Sequence, residues 1–383
     1  MGKGVCWIWM LCLAILLCGC EKSTTFEGPV RIGLVSYLKG EQREKVGKDT
    51  LVAANMALEE INREGGVRLG NKRLPVELVV KEIDSNAEQA MQAVHNLINN
   101  QHVVAIVGPY FSSDAIPAGA IAEQSKVPMI APVATHPDVT TGRRYVLRGT
   151  FLDRQQGEAL ASFAVNDLDI DTAVVVFDES NQYSKGLARD FSRAFEKRQG
   201  RILFSRGLVK EEMLDSRLWR EIATRKPDVV FLPIYSPLSA EVADKARESG
   251  YQGVFLGSDA WDSRYDAQKE SLQNAYMTSN FSRRLEMPAT QSFVSEFNKR
   301  RGREPGDSAA LTYDAIKLLG KALERAGKTD SEALLQALFE LPPYFGVAGS
   351  IDYVDSGNPI KAVVINQLRD GDAHFQKFIV LEQ

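Results

Sequence analysis

Three features of the chain predict an α/β fold of two lobes, each built on a central parallel sheet. Short β-branched runs alternate with longer segments of helical period, the pattern of parallel strands returned by flanking helices. The alternation restarts near residue 150, and 383 residues are enough for two cores of ordinary domain size. Apolar residues make up 44% and charged residues 25% of the chain, the balance of a folded globular protein. With a formal charge of −4 and no block of like charge, a nucleic-acid partner is not expected.

The first strand is expected at residues 31–35. Leu51, Ala54, Leu58 and Ile61 then recur on one helical face across residues 51–61, and Gly65-Gly66 ends that helix. Strands follow at 78–83, 103–107 and 127–131, with a helix at 87–99 between the first two. The second set has strands at 173–177, 202–205, 229–234 and 254–256. Its helices, at 184–198 and around 241–248, are closed by Gly200 and Gly250, as left-handed C-terminal positions favour glycine. Residues 308–325 and 331–341 read as two strong helices, stopped by Pro342-Pro343, and residues 349–380 as a β-rich tail.

All four cysteines, Cys6, Cys12, Cys18 and Cys20, lie in the first twenty residues. The folded body therefore has no disulfide framework, cysteine nucleophile or thiolate metal site. Residues 5–17 are an uninterrupted apolar run behind a single lysine. That run is shorter than the ~20 residues needed to span a bilayer and has the length of an export signal. Gly19-Cys20 resembles a bacterial lipobox, with residues 1–19 the cleaved signal, Cys20 the lipidated first residue and 20–28 a tether. The expected location is the cell envelope, lipid-anchored on the periplasmic or extracellular side.

In parallel sheets, ligands bind beyond the carboxyl ends of the strands. The residues there are Tyr37, Asp84, Ser112-Ser113, Thr135-His136, Tyr183, Tyr235 and Asp259-Ala260-Trp261. Ser112 and Thr135 each stand where a hydroxyl would cap the next helix. They serve either as plain caps or, with the free N–H groups beside them, as a site for a carboxylate. Asp259, on another loop, could pair with a cation, while Tyr183, Tyr235 and Trp261 would give a semi-polar aromatic wall. No P-loop, GxGxxG or Gly-x-Ser-x-Gly string is present, and His95, His102, His136 and His374 lack metal-ligand spacing. Neither an enzyme nor a cofactor or metal is expected.

The ordered set Gly108-Pro109-Tyr110-Phe111-Ser112-Ser113, Val127 through Val133-Ala134-Thr135 to Pro137 and Thr140, Gln182-Tyr183 with Gly186, Thr312-Tyr313-Asp314-Ala315, Phe345-Gly346-Val347-Ala348-Gly349 and Asp370-Gly371 resembles the type I periplasmic ligand-binding proteins of the leucine/isoleucine/valine-binding family. The likeness runs from about residue 30 to about residue 375. It implies two Rossmann-like lobes joined by a three-strand hinge, with crossings near residues 148–151, 278–281 and 344–349. Lobe 1 would then comprise 29–149 and 281–343, and lobe 2 150–280 and 344–383. It further implies that Ser112, the backbone at Val133 and Ala134, and Thr135 hold a ligand carboxylate. Asp259 would take the ammonium and Tyr183 and Tyr235 close over the ligand, with Trp261 beside them. The implied role is a substrate-binding lipoprotein of an ABC transporter, whose partners are an amino acid or similar carboxylate, the permease subunits and, through Cys20, the membrane. An envelope lipoprotein of the same fold sensing a ligand for a partner protein is the alternative. The sequence departs from the family at Ser308, where some members place an aromatic, and at residues 39–48, which are more charged than usual.

Overall fold

The computed structural model describes residues 28–381, so Cys20 and the signal and tether proposed around it lie outside the described residues. Two sheets organise the chain. In the first, the strands Val76–Glu82, Val30–Ser36, Ala105–Val107, Met129–Ala131 and Val146–Arg148 run parallel in that spatial order. Val30–Ser36 lies between two neighbours, and all but one of its residues are buried, which is why it reads as a continuous apolar run and not as an alternation. Helices cover both faces of this sheet. On one side Gly47–Arg63 and Asp307–Ala326 pack together through Ala53, Ala57, Ile61, Ile316 and Leu319. On the other, Ala87–Asn99 and Ser112–Gln124 cover Val35, Ile106 and Met129.

The second sheet repeats the plan with Arg201–Leu208, Thr172–Asp178, Val229–Leu232, Val254–Gly257 and Tyr276–Ser279, again parallel. Two antiparallel strands, Val363–Arg369 and Asp372–Ile379, extend it past Tyr276–Ser279. They form a hairpin turned by Asp370-Gly371, both with positive φ (52° and 76°), as a two-residue hairpin loop requires. The tail read from the sequence at residues 349–380 contains this hairpin, while its first strand, Gly349–Ile351, pairs with Tyr344–Gly346.

The chain passes between the lobes three times. Val146–Arg148 belongs to the first sheet, whereas the next helix, Asp153–Leu168, packs in the second lobe through Ala159, Leu160 and Phe163. After Tyr276–Ser279 the chain returns, and Pro288–Arg301 joins the first core through Phe293 and Phe297. The third passage differs from the division at residue 344 implied by the family resemblance. The hairpin Tyr344–Gly346 with Gly349–Ile351 buries Tyr344, Val347, Ile351 and Tyr353 in the first core, and only Val363 enters the second sheet. Asp314 causes this. Its buried carboxylate accepts the N–H groups of Val347 (2.8 Å) and Ala348 (2.9 Å) and ties the hairpin to the long helix of the first lobe.

Candidate functional site

The first-lobe side of the cleft is built from two post-strand loops. Gly108, with φ of +92° and a would-be Cβ 2.4 Å from the Val35 carbonyl oxygen, lets the loop leave the sheet at close quarters, where a side chain would collide with backbone. Tyr110, Phe111 and Ser112 follow at the cleft. The caps differ from those expected. Phe111 is the N-cap of Ser112–Gln124 without a side-chain bond, and His136, not Thr135, caps the short turn Pro137–Val139. The Ser112 hydroxyl instead accepts the His136 N–H at 3.4 Å and links the two loops. It thus remains near first-turn N–H groups that have no intrahelical carbonyl to meet. Arg148 fixes the second loop from below. Its buried guanidinium donates to the carbonyls of Ala134 (2.8 Å) and His136 (3.0 Å), to Thr140 Oγ1 (2.8 Å) and to Asn358 Oδ1 (2.8 Å).

The second lobe supplies carboxylate and aromatic groups. Asp259 is 8% exposed and accepts Tyr183 OH (2.5 Å) and Gln156 Nε2 (2.9 Å) on Oδ1, and Asn280 Nδ2 (3.4 Å) on Oδ2. Gln156 closes the frame by accepting the Asp259 N–H (3.0 Å) and the Thr278 hydroxyl (2.6 Å). Burial pushes Asp259 up to about 6, with the Tyr183 and Gln156 hydrogen bonds pulling the other way. Tyr183 and Tyr235 face each other at 5.3 Å, and Tyr235 meets Phe111 of the first lobe edge-on at 5.4 Å, so aromatic contact bridges the cleft.

Seven residues expected at the site, Ser112, Val133, Ala134, Thr135, Tyr183, Tyr235 and Asp259, line one small cavity together with Tyr110 and Ala260. Trp261 does not join them. Its indole is buried in the second-lobe core, donates to the Leu232 carbonyl at 3.0 Å and lies against Gly257, while its edge reaches an adjoining cavity.

Sequence reasoning missed Asp153. It opens the helix Asp153–Leu168, its N–H donates to the Thr135 carbonyl at 3.1 Å, and it is fully buried. Neither carboxylate oxygen completes a hydrogen bond among the described residues. Burial pushes its pKa up to about 8, the Thr135 hydroxyl being the strongest influence in the other direction. The signal available was an acidic residue just after the first crossing, in a helix the periodicity did not reveal.

An ion-pair cluster holds the lobes together beside the cleft. Asp49, fully buried in the first lobe, pairs with Arg301 (2.9 Å) and Arg303 (2.8 Å) of its own lobe and with Arg264 (2.7 Å) of the second. Arg264 is also paired with Asp262 at 2.9 Å. Among the described residues no cluster of histidines and carboxylates could hold a metal ion, and no helix is long and apolar enough to cross a membrane.

A family profile described as "Periplasmic binding protein" matches residues 29–373. The Leu/Ile/Val-binding protein of Citrobacter freundii is 27% identical over 320 residues, covering 81% of this chain and 84% of that protein. A leucine-binding protein from Thermotoga maritima superposes with a TM-score of 0.81 at 30% identity over 92% of this chain and 99% of that one. The fold is shared with the substrate-binding protein of a branched-chain amino acid transporter from Streptococcus pneumoniae, solved with isoleucine (TM-score 0.83, 24% identity, 92% and 100% covered). With its two parallel-sheet lobes and a cleft between them, the chain belongs to the type I periplasmic binding proteins of the Leu/Ile/Val-binding family, which are substrate-binding proteins of ABC transporters and not enzymes.

Proposed function

We propose that the protein captures a zwitterionic amino acid between its lobes and presents it to the permease of a branched-chain-amino-acid-type ABC transporter, held to the envelope by a lipid on Cys20. The observation that carries the reading is one buried carboxylate on the cavity wall. Among the described residues Asp259 is bonded only to neutral donors and forms no ion pair. Opposite Asp259, across the same cavity, stand Ser112, Thr135 and the backbone at Val133 and Ala134. An ammonium at Asp259 and a carboxylate at the hydroxyls leaves neither ligand charge unpaired. That matters because an unpaired buried charge costs about 3–5 kcal/mol. The relatives named for binding leucine, isoleucine and valine support an amino acid as the ligand class.

Closure supplies the signal. Contacts such as Phe111 with Tyr235 and Asp49 with Arg264 exist only when the lobes meet, giving a shape that a permease can distinguish from the open one. The test is calorimetric titration with a panel of amino acids, each beside its deaminated and decarboxylated analogue. Binding of an amino acid with loss of at least a hundredfold for both analogues is expected. Equal binding of the deaminated acid would refute the ammonium assignment.

A further inference from the structure

Beyond Asp259 the cleft continues into a second cavity, open to solvent, that shares Tyr110, Tyr235, Asp259 and Ala260 with the first. A ligand whose ammonium sits at Asp259 has this space for its side chain. Its lining combines the apolar Val46, Phe111 and Trp261 with a larger polar set. Asp307, Ser308, Ser279, Ser236 and Gln42 line the cavity, together with the Asp262–Arg264 pair. Arg264 brings little free charge, because Asp262 and Asp49 both pair with it. Asp307 is a carboxyl group without such a partner. It opens the long helix Asp307–Ala326, and its carboxylate accepts the Ser279 hydroxyl (2.9 Å) and the Asn280 N–H (2.7 Å) but forms no ion pair among the described residues. Lys45, the other cation of the lining, lies over the Tyr265 ring at 5.7 Å, and the buried Lys361 acts on Asp307 through its charge without forming an ion pair with it.

An aliphatic side chain placed here would strip water from a carboxylate and several hydroxyls and return nothing to them, and sites built from hydrogen-bonding groups discriminate strongly against ligands that lack the partner. Resting on the amino-acid reading above, we propose that this second cavity selects an amino acid whose side chain ends in a nitrogen donor, a carboxamide or an ammonium received by Asp307, in preference to leucine, isoleucine or valine. Ser308 stands at the same wall and supplies a hydroxyl in the cavity.

The experiment is calorimetric titration of the purified protein with glutamine, ornithine, glutamate and leucine. Glutamine or ornithine should bind at least tenfold more tightly than leucine. The two donor ligands separate the amide from the cation, a preference for ornithine of tenfold or more marking Asp307 as a charge partner. Asp307→Asn should cost ornithine at least tenfold and leave leucine within twofold. If that variant does not fold, Ser308→Leu, which makes the wall apolar, should narrow the gap between glutamine and leucine. Leucine binding as tightly as both donor ligands would overturn the side-chain assignment while leaving the zwitterion site intact, as would glutamate binding more tightly than glutamine. Failure of every amino acid to bind, with a deaminated acid binding instead, would overturn both readings.

Discussion

Asp259→Asn tests the ammonium site most directly, because it removes the charge and keeps the shape. In the wild type the carboxylate collects Tyr183 OH at 2.5 Å and Gln156 Nε2 at 2.9 Å on one oxygen and Asn280 Nδ2 at 3.4 Å on the other. Asparagine retains an acceptor for the first two donors and turns its own NH2 toward Asn280, a donor facing a donor. The folding cost of that mismatch, about 1–2 kcal/mol, is opposed by relief of a buried charge whose pKa burial has already raised to about 6. Melting temperature should therefore move by only a few degrees. For the ligand there is no such compensation. Its ammonium loses a charged partner in a buried site, worth about 3–5 kcal/mol, or roughly two to four powers of ten in Kd. The same assignment fixes a pH dependence. Ammonium binding needs Asp259 ionised, so below pH 6 a proton must leave as the ligand enters. Wild-type Kd should then rise about tenfold per pH unit between pH 6 and pH 4.5, a dependence the variant loses. Titration calorimetry of both proteins at several pH values, using the tightest amino acid found, measures each term. A variant that binds within threefold of wild type, or a wild-type affinity flat from pH 7 to pH 5, would refute the reasoning.

Three further outcomes follow from other parts of the molecule. Arg264→Gln removes the ion pair across the cleft while Asp49 keeps Arg301 and Arg303; losing a charge-assisted bond of about 1.5–3 kcal/mol should shift the closed state toward the open one by tenfold or more. Small-angle scattering without ligand should show a larger radius of gyration, and an unchanged radius together with unchanged affinity would argue against a latch. Burial raises the pKa of Asp153 to about 8, Asp266 to about 7 and Asp314 to about 6, so the folded state holds their protons more tightly than the unfolded state. Ligand-free stability should accordingly rise as pH falls from 8 to 5.5; Lys361, depressed to about 8 by burial, acts in the opposite sense only above pH 8. Melts across that range check the sign, and Asp153→Asn should flatten the slope. Finally, Cys20→Ser should move the protein from the membrane fraction to the soluble one, since serine cannot form a thioether; persistence in the membrane fraction would remove the lipobox.

The sequence by itself carried the repeated strand–helix order, both parallel sheets and the positions beyond the strand ends that line the cleft, because each depends on local period and on a general property of parallel sheets. It did not carry the helix Asp153–Leu168. That helix buries Asp153, Gln155, Gln156, Gly157, Ala159, Leu160, Ala161, Phe163 and Ala164, so polar and small residues face protein on several sides and no apolar stripe is left to read. The tertiary structure decided which hydroxyls cap and which face the cleft, turning Ser112 toward His136 and leaving capping to Phe111 and His136. It buried Trp261 against Gly257 and gave the Tyr344–Ile351 hairpin to the first lobe through Asp314. It also buried Asp153 beside Thr135, with no hydrogen bond completed by its carboxylate among the described residues. Each of these turns on contacts between residues far apart in the chain, and periodicity and capping preference describe only a residue's near neighbours; whether a carboxylate is solvated, paired or left without a partner is settled when distant segments exclude water around it.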